Sequence, residues 1–249
     1  MDPYVNMQIV NSIAKIEFYH PKSNSLPSEV LSNLALAITK AGENKKVKTI
    51  LLTSAGDRVF CAGASFDELL AIKNQHQGKM FFSGFTEVIK AIKNAPKFVV
   101  TALQGKVIGG GLGIVSASDY VVASPEASAK LSELSIGLGP FVIGPVLIRK
   151  IGLAHYSNMA LDPTNYKSSK WGLDTGLYSE INDQPKLRAT EVCSCYAQYS
   201  PMAMTAMKKM FWEKHNTLDE DMDNKAAQSG KLVLTEFTRK TLKEFKSRK

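Results

Sequence analysis

The sequence predicts an α/β fold in which a parallel sheet is followed by helices alone. Three observations lead there. Short apolar runs at 49–53, 98–103 and 120–123 are bounded by turn formers, the pattern of strands buried on both faces. Segments with helical periodicity separate these runs, which is the spacing of βαβ units with right-handed crossovers. From about residue 186 onward the runs around 193–199, 203–212 and 231–245 are helical and give no convincing strand. The chain therefore divides into a core over residues 1–185 and a helical C-terminal module over 186–249.

Taken in order, residues 5–10 and 13–18 are β-rich runs joined at Asn11-Ser12, a hairpin. His20-Pro21 ends the second strand. Pro27-Ser28 opens a helix whose Val30, Leu31, Leu34, Ala35, Ile38 and Ala41 recur at helical spacing. A further helix is expected over 66–72. The stretch 73–79, which holds His76, has no apolar periodicity and reads as a mobile loop. A second amphipathic helix carries Phe81, Phe82, Phe85, Val88, Ile89 and Ile92 on one side and stops at Pro96.

Length and composition set the outer bounds. A chain of 249 residues is one large domain or two small ones, and it needs no disulfide or metal to complete its core. With 44% hydrophobic and 22% charged residues it is not a disordered polymer. No run approaches the ~18 apolar residues of a membrane span, and Met1-Asp2-Pro3-Tyr4 is not the start of a secretion signal. Cys61, Cys193 and Cys195 have no zinc spacing with His20, His76, His155 or His215, so reduced thiols in a cytoplasmic protein are expected. The net charge of +8 favours an anionic partner. Lys240, Lys243, Lys246, Arg248 and Lys249 face one acid, Glu244, and read as a solvated, fraying helix end. No nucleic-acid-binding motif accompanies the charge, so no nucleic acid partner is expected.

Two strand-to-helix turns carry the chemistry. Cys61-Ala62-Gly63-Ala64-Ser65 is small throughout, which lets the backbone approach a ligand. Gly109-Gly110-Gly111-Leu112-Gly113 opens a helix, where free N–H groups and the positive dipole end favour developing negative charge. Neither a dinucleotide fingerprint nor a Walker A motif fits, because Ile114 stands at the third glycine position and no Gly-Lys-Ser/Thr follows. Taken singly, each turn reads equally well as close helix–strand packing.

Together the motifs resemble a known family. Cys61-Ala62-Gly63-Ala64, Gly105, Gly109-Gly110-Gly111, Ser118-Asp119-Tyr120 and Leu131-Ser132-Glu133-Leu134-Ser135-Ile136-Gly137 are similar, in order and spacing, to the enoyl-CoA hydratase/isomerase (crotonase) family. The resemblance implies a crotonase-like ββα spiral core with a helical C-terminal trimerisation module, assembled as homotrimers or hexamers. It implies an acyl-CoA substrate and no cofactor, the CoA being part of the substrate; with no apolar span in the sequence, no membrane partner is expected. The main-chain N–H groups of Ala64 and Gly110 map onto an oxyanion hole for the thioester carbonyl. Ala62 and Gly109 flank it, Ser65, Phe66 and Asp67 lie along the substrate, and Lys22 lies near the CoA phosphates or adenine. Phe141 and Val142 stand beside the acyl end or pack in the core. Met202, Met204, Met207 and Met210 read as core or trimer contacts.

Proton transfer needs a carboxylate as well. Family hydratases carry two glutamates, one two positions after the glycine triplet and one at the position of Glu133. Here the first position is Gly113, and Asp119 is expected to be structural. One base suffices to shift a double bond, whereas adding water uses two carboxylates or some substitute. The expectation is an acyl-CoA enzyme with Glu133 as acid/base, isomerisation being slightly favoured over hydration. The alternatives are a hydratase for short or branched acyl chains, another crotonase chemistry, or a non-catalytic acyl-CoA-binding protein.

Overall fold

The computed structural model describes residues 1–213 and 217–247. His215, Arg248 and Lys249, named above, lie outside them.

Strands β1 (Tyr4–Val10) and β2 (Ile13–Tyr19) form the expected hairpin, with Asn11 and Ser12 at φ 51° and 63° in the tight turn. Helix α1 (Ser28–Glu43) follows Pro27 and buries Val30, Leu31, Leu34 and Ile38. Strand β3 (Thr49–Ser54) is buried along its whole length. After it come β4 (Val59–Cys61), α2 (Phe66–Ala71) and α3 (Gln75–Asn94). The loop expected over 73–79 is mostly helix. The Asn74 side chain accepts the Gln77 N–H and starts α3 there, so an N-cap prevails over the missing apolar stripe, and His76 stands exposed on the first turn.

The centre of the chain repeats a unit of two strands and a helix. Strands β5 (Val99–Leu103) and β6 (Lys106–Ile108) lead into α4 (Gly110–Ala117), and β7 (Tyr120–Ala123) and β8 (Ser128–Lys130) into a 3₁₀ turn (Glu133–Ile136) and α5 (Gly144–Ala160). Short β9 (Lys167–Ser168), α6 (Ser169–Asp174) and β10 (Glu180–Ile181) follow. From β3 to β8 successive strands alternate between two sheets, ordered β1-β2-β3-β5-β7-β10 and β4-β6-β8-β9. All pairs are parallel except β1–β2 and β8–β9. The single parallel sheet inferred from periodicity is thus two sheets, and the ββα spiral implied by the resemblance is the architecture.

Among the described residues four helices follow: α7 (Pro185–Tyr196), α8 (Pro201–Trp212), α9 (Leu218–Leu232) and α10 (Glu236–Ser247). Helix α7 covers the outer face of the larger sheet, with Ala189, Val192 and Cys193 against Leu51, Val100 and Val122. Helix α8 is tied down by a buried ion pair, Lys208 Nζ to Asp119 Oδ2 at 2.8 Å. Its Met204 is buried, while Met202, Met207 and Met210 are exposed. Helix α9 runs along α3 so closely that a Cβ on Gly78 would lie 2.7 Å from the Gly230 Cα. Helix α10 reaches back to the core: Arg239 donates to the carbonyls of Leu70 and Ile72, and Thr238 Oγ1 to that of Gly137. Among the described residues no helix is long and apolar enough to cross a membrane.

Candidate active site

The first turn leaves β4 and is fixed by main-chain bonds to the loop after β2. The Ala62 N–H donates to Ser23 O at 3.1 Å, and the Leu26 N–H to Gly63 O at 2.8 Å. The second turn joins β6 to α4, with the Gly109 N–H on Lys130 O at 2.9 Å. The two turns touch. A Cβ on Gly63 would lie 3.0 Å from Ile108 O and 3.7 Å from the Gly110 nitrogen. Side chains are excluded across this contact, since a Cβ on Gly110 would meet the Phe85 ring at 2.2 Å and one on Gly111 would meet Cys61 Cβ at 2.7 Å. Among the described residues, no protein acceptor takes the N–H of Ala64 or of Gly110. Two such donors in contacting turns can stabilise one oxyanion.

Glu133 opens the 3₁₀ turn after β8 and points back at the glycine turn. A Cβ on Gly109 would lie 2.8 Å from its Oε1. The residue is part-buried, but Oε2 is enclosed and has no hydrogen-bond partner. Burial pushes the carboxyl up to about 7, opposed by the main-chain N–H groups of Glu133 and Ser132. A carboxyl in that range can take and return a proton near neutral pH.

Ala64, Gly110 and Glu133 line one cavity of about 610 Å³, mouth included, together with Ala62, Phe66, Gly109 and Phe141. Three of the expected substrate contacts are not on its wall. Ser65 instead caps α2, its hydroxyl accepting the Glu68 N–H. Asp67 lies at the surface in ion pairs with Lys22 and, at 3.2 Å, Lys246, which hold its carboxyl below the usual range. The cavity also takes in Phe82, Phe85, Ile143 and Ser229, which motif reading did not assign to it. The periodicity of α3 marked both phenylalanines as buried without showing what they face. For Ser229, in α9, the sequence carries no local signal.

Gly113 faces the core. A Cβ there would meet Ile143 Cγ2 at 2.6 Å and Ile89 Cδ1 at 2.9 Å, so isoleucines fill the space beside it. Asp119 accepts the Val99 N–H at 2.7 Å and the Lys208 ammonium, holding β5 and α8 together. Cys61 is fully buried and its thiol is pushed up to about 12, so it carries little thiolate. Among the described residues no group of three His, Cys, Asp or Glu side chains could hold a metal ion.

The chain is similar to known proteins. Residues 8–249 match the enoyl-CoA hydratase/isomerase family. The bacillaene synthase dehydratase of Bacillus subtilis is 31% identical over 173 residues, 68% of this chain and 66% of its own length. The mitochondrial methylglutaconyl-CoA hydratase of Rattus norvegicus is 30% identical over 197 residues, 74% of this chain and 60% of that one. Among solved structures, the enoyl-CoA hydratase of Bacillus halodurans superposes with a TM-score of 0.89 at 23% identity, covering 97% of this chain and 99% of the other. The fold and the match across nearly the whole chain agree, and the protein belongs to the enoyl-CoA hydratase/isomerase family.

Proposed function

We propose that the protein isomerises a double bond in an acyl-CoA thioester, with Glu133 carrying the proton. One observation carries the reading: among the described residues lining the cavity, Glu133 is the sole ionisable side chain. In the proposed cycle ionised Glu133 removes a proton from C2 of a β,γ-unsaturated acyl thioester. The electron pair moves onto the carbonyl oxygen, where the N–H groups of Ala64 and Gly110 receive it. Each donor contributes roughly 3–4 kcal/mol at that stage. Glu133 then returns the proton at C4, and the double bond lies between C2 and C3. No water is consumed, which suits walls built from phenylalanine, leucine and isoleucine.

A second reading, dehydration of a β-hydroxyacyl thioester, is favoured by the hydratase and dehydratase names of the relatives. There Glu133 takes the C2 proton and passes it to the departing hydroxyl, which leaves as water. A panel of acyl-CoA thioesters incubated in heavy-oxygen water and followed by chromatography, which resolves the double-bond isomers, coupled to mass spectrometry separates the two. Isomerisation moves the double bond with no change of mass, whereas hydration adds labelled water. Binding without turnover on the whole panel would sink both readings. The exposed Met202, Met207 and Met210 on α8 support assembly with further copies of the chain, which sedimentation velocity tests.

A further inference from the structure

A second cleft lies at the opposite end of α4 from Gly110. Eight residues of helix set the two about 12 Å apart. The cleft has an open volume of about 810 Å³ and is walled by Ser118, Asp119, Arg149, Lys150, Phe211 and Trp212, among others. The acyl chemistry above makes no use of it.

Its charges do not balance. Asp119 is the sole carboxylate among the described lining residues, and it is engaged by the Val99 N–H and the Lys208 ammonium. Arg149 and Lys150 also line the cleft. Lys150 Nζ lies 3.3 Å from Ser118 O, and Arg149 gives one N–H to Phe211 O at 3.0 Å. The Arg149 guanidinium also lies 3.6 Å over the Trp212 ring, with its Nε enclosed and without a partner. The C-termini of α4 and α8 contribute about half a negative charge each. Lys208 offsets Asp119 from behind the wall, so two lining cations, Arg149 and Lys150, against two helix ends leave the cleft positive. Burial holds Arg149 and Lys150 below their ordinary ranges.

We infer that this cleft binds a small anion of the phosphate class, held by the planar donor fork of Arg149 and the ammonium of Lys150. The fork matches two oxygens of a tetrahedral anion, and the lysine supplies a point charge to a third. The indole wall lowers the local dielectric and strengthens both attractions. A purely structural role, docking the end of α8 onto α5, accounts for the Phe211 bond but leaves the Arg149 Nη1 donors, which are not enclosed, without a protein acceptor.

The test is calorimetric titration of the purified protein with inorganic phosphate at constant ionic strength, alone and with saturating crotonyl-CoA. We expect saturable binding of one phosphate per chain, unchanged by the acyl-CoA. Arg149→Gln and Lys150→Gln should each weaken it about tenfold or more. Lys150→Gln is the second probe should the arginine variant fail to fold, because Lys150 bonds only the Ser118 carbonyl. Absence of saturable binding, equal affinity in a folded variant, or displacement of phosphate by crotonyl-CoA would each overturn the proposal. The last result would give the anion to the acyl-CoA cavity. The readout is binding, so it stands or falls independently of turnover.

Discussion

Gly109 and Glu133 are in contact: a Cβ added to the glycine would fall 2.8 Å from Oε1 of the carboxylate. The glycine also holds φ 53°, ψ −123°, a conformation that a residue with a side chain rarely adopts. The turn that presents the Gly110 N–H and the side chain proposed to carry the proton are therefore positioned against each other. In an oxyanion-hole enzyme this coupling fixes the distance between base and enolate.

The first prediction follows from that contact. Gly109→Ala should displace the carboxylate and strain the turn, lowering kcat/KM at least 100-fold. Gly56→Ala is the control. Gly56 has φ 84° with nothing within 4 Å of its would-be Cβ, so the substitution brings strain without a clash near the cavity. Both variants should lose about 1–3 kcal/mol of stability by denaturant unfolding, and only Gly109→Ala should lose activity. Equal activity in the two would detach Gly109 from the site.

Glu133 yields a prediction that links pH to both rate and stability. Its folded pKa, about 7, lies above the ordinary 4.5. The folded protein thus holds the proton more tightly than the unfolded chain does. The stability from this group is full below pH 4.5 and is lost as pH climbs through about 7. Glu133→Gln should therefore melt close to wild type at pH 4.5 and above it at pH 8, by at most about 3 kcal/mol. Turnover in that variant should fall by roughly 100- to 10,000-fold. In the wild type, kcat/KM should rise with pH through a midpoint near 7, because the base must be ionised. A flat pH profile would remove Glu133 from the proton transfer.

Much of this site was legible in the order of motifs along the chain, and its limits are physical. Small residues at 61–65 and glycines at 109–111 announce close approach whatever the fold, and the structure puts them in contact. The second sheet left no periodic trace. Its strands span two or three residues, too few for an alternation of period two to show. The start of α3 was hidden for the opposite reason, since its first turn is polar and rests on the Asn74 cap rather than on burial. Ser65 and Asp67 sit next to Ala64 in the chain, yet one turns inward as a helix cap and the other outward to Lys22 and Lys246. Proximity in sequence to a functional amide says nothing about which way a neighbouring side chain points. Ser229 reaches the cavity only because α9 packs along α3, a long-range contact with no local signature.

The position of Gly113 makes a third prediction. Gly113→Glu should not add a working second carboxylate. The new side chain would enter space held by Ile143 and Ile89, at 2.6 and 2.9 Å from its Cβ, and would bury a charge there. Overpacking and desolvation together should cost at least about 3 kcal/mol. Pairing it with Ile143→Gly should recover much of that loss, which thermal unfolding of the single and double variants would show. Hydratase activity from the single variant at wild-type stability would mean that this wall yields more readily than its packing indicates.

The cavity wall makes the last prediction, on acyl choice. Phe141 folds over Gly139, where a Cβ would meet its ring at 2.4 Å, and with Val142 and Ile143 it builds one side of the cavity. No lysine or arginine lines the cavity among the described residues, and Glu133 already places a carboxyl there. An acyl tail ending in a carboxylate would lose its water and meet no cation, so a short uncharged acyl thioester should be preferred over its dicarboxylic analogue by about 100-fold or more in kcat/KM. Phe141→Gly should widen the wall and raise the relative rate on longer uncharged chains, leaving the discrimination against the carboxylate in place, because that discrimination rests on charge rather than size. Steady-state rates for one short uncharged, one long uncharged and one dicarboxylic thioester, on wild type and variant, settle both parts. Efficient turnover of the dicarboxylic substrate by the wild type would show that its tail finds a cation outside this wall, and the selectivity argument would fail.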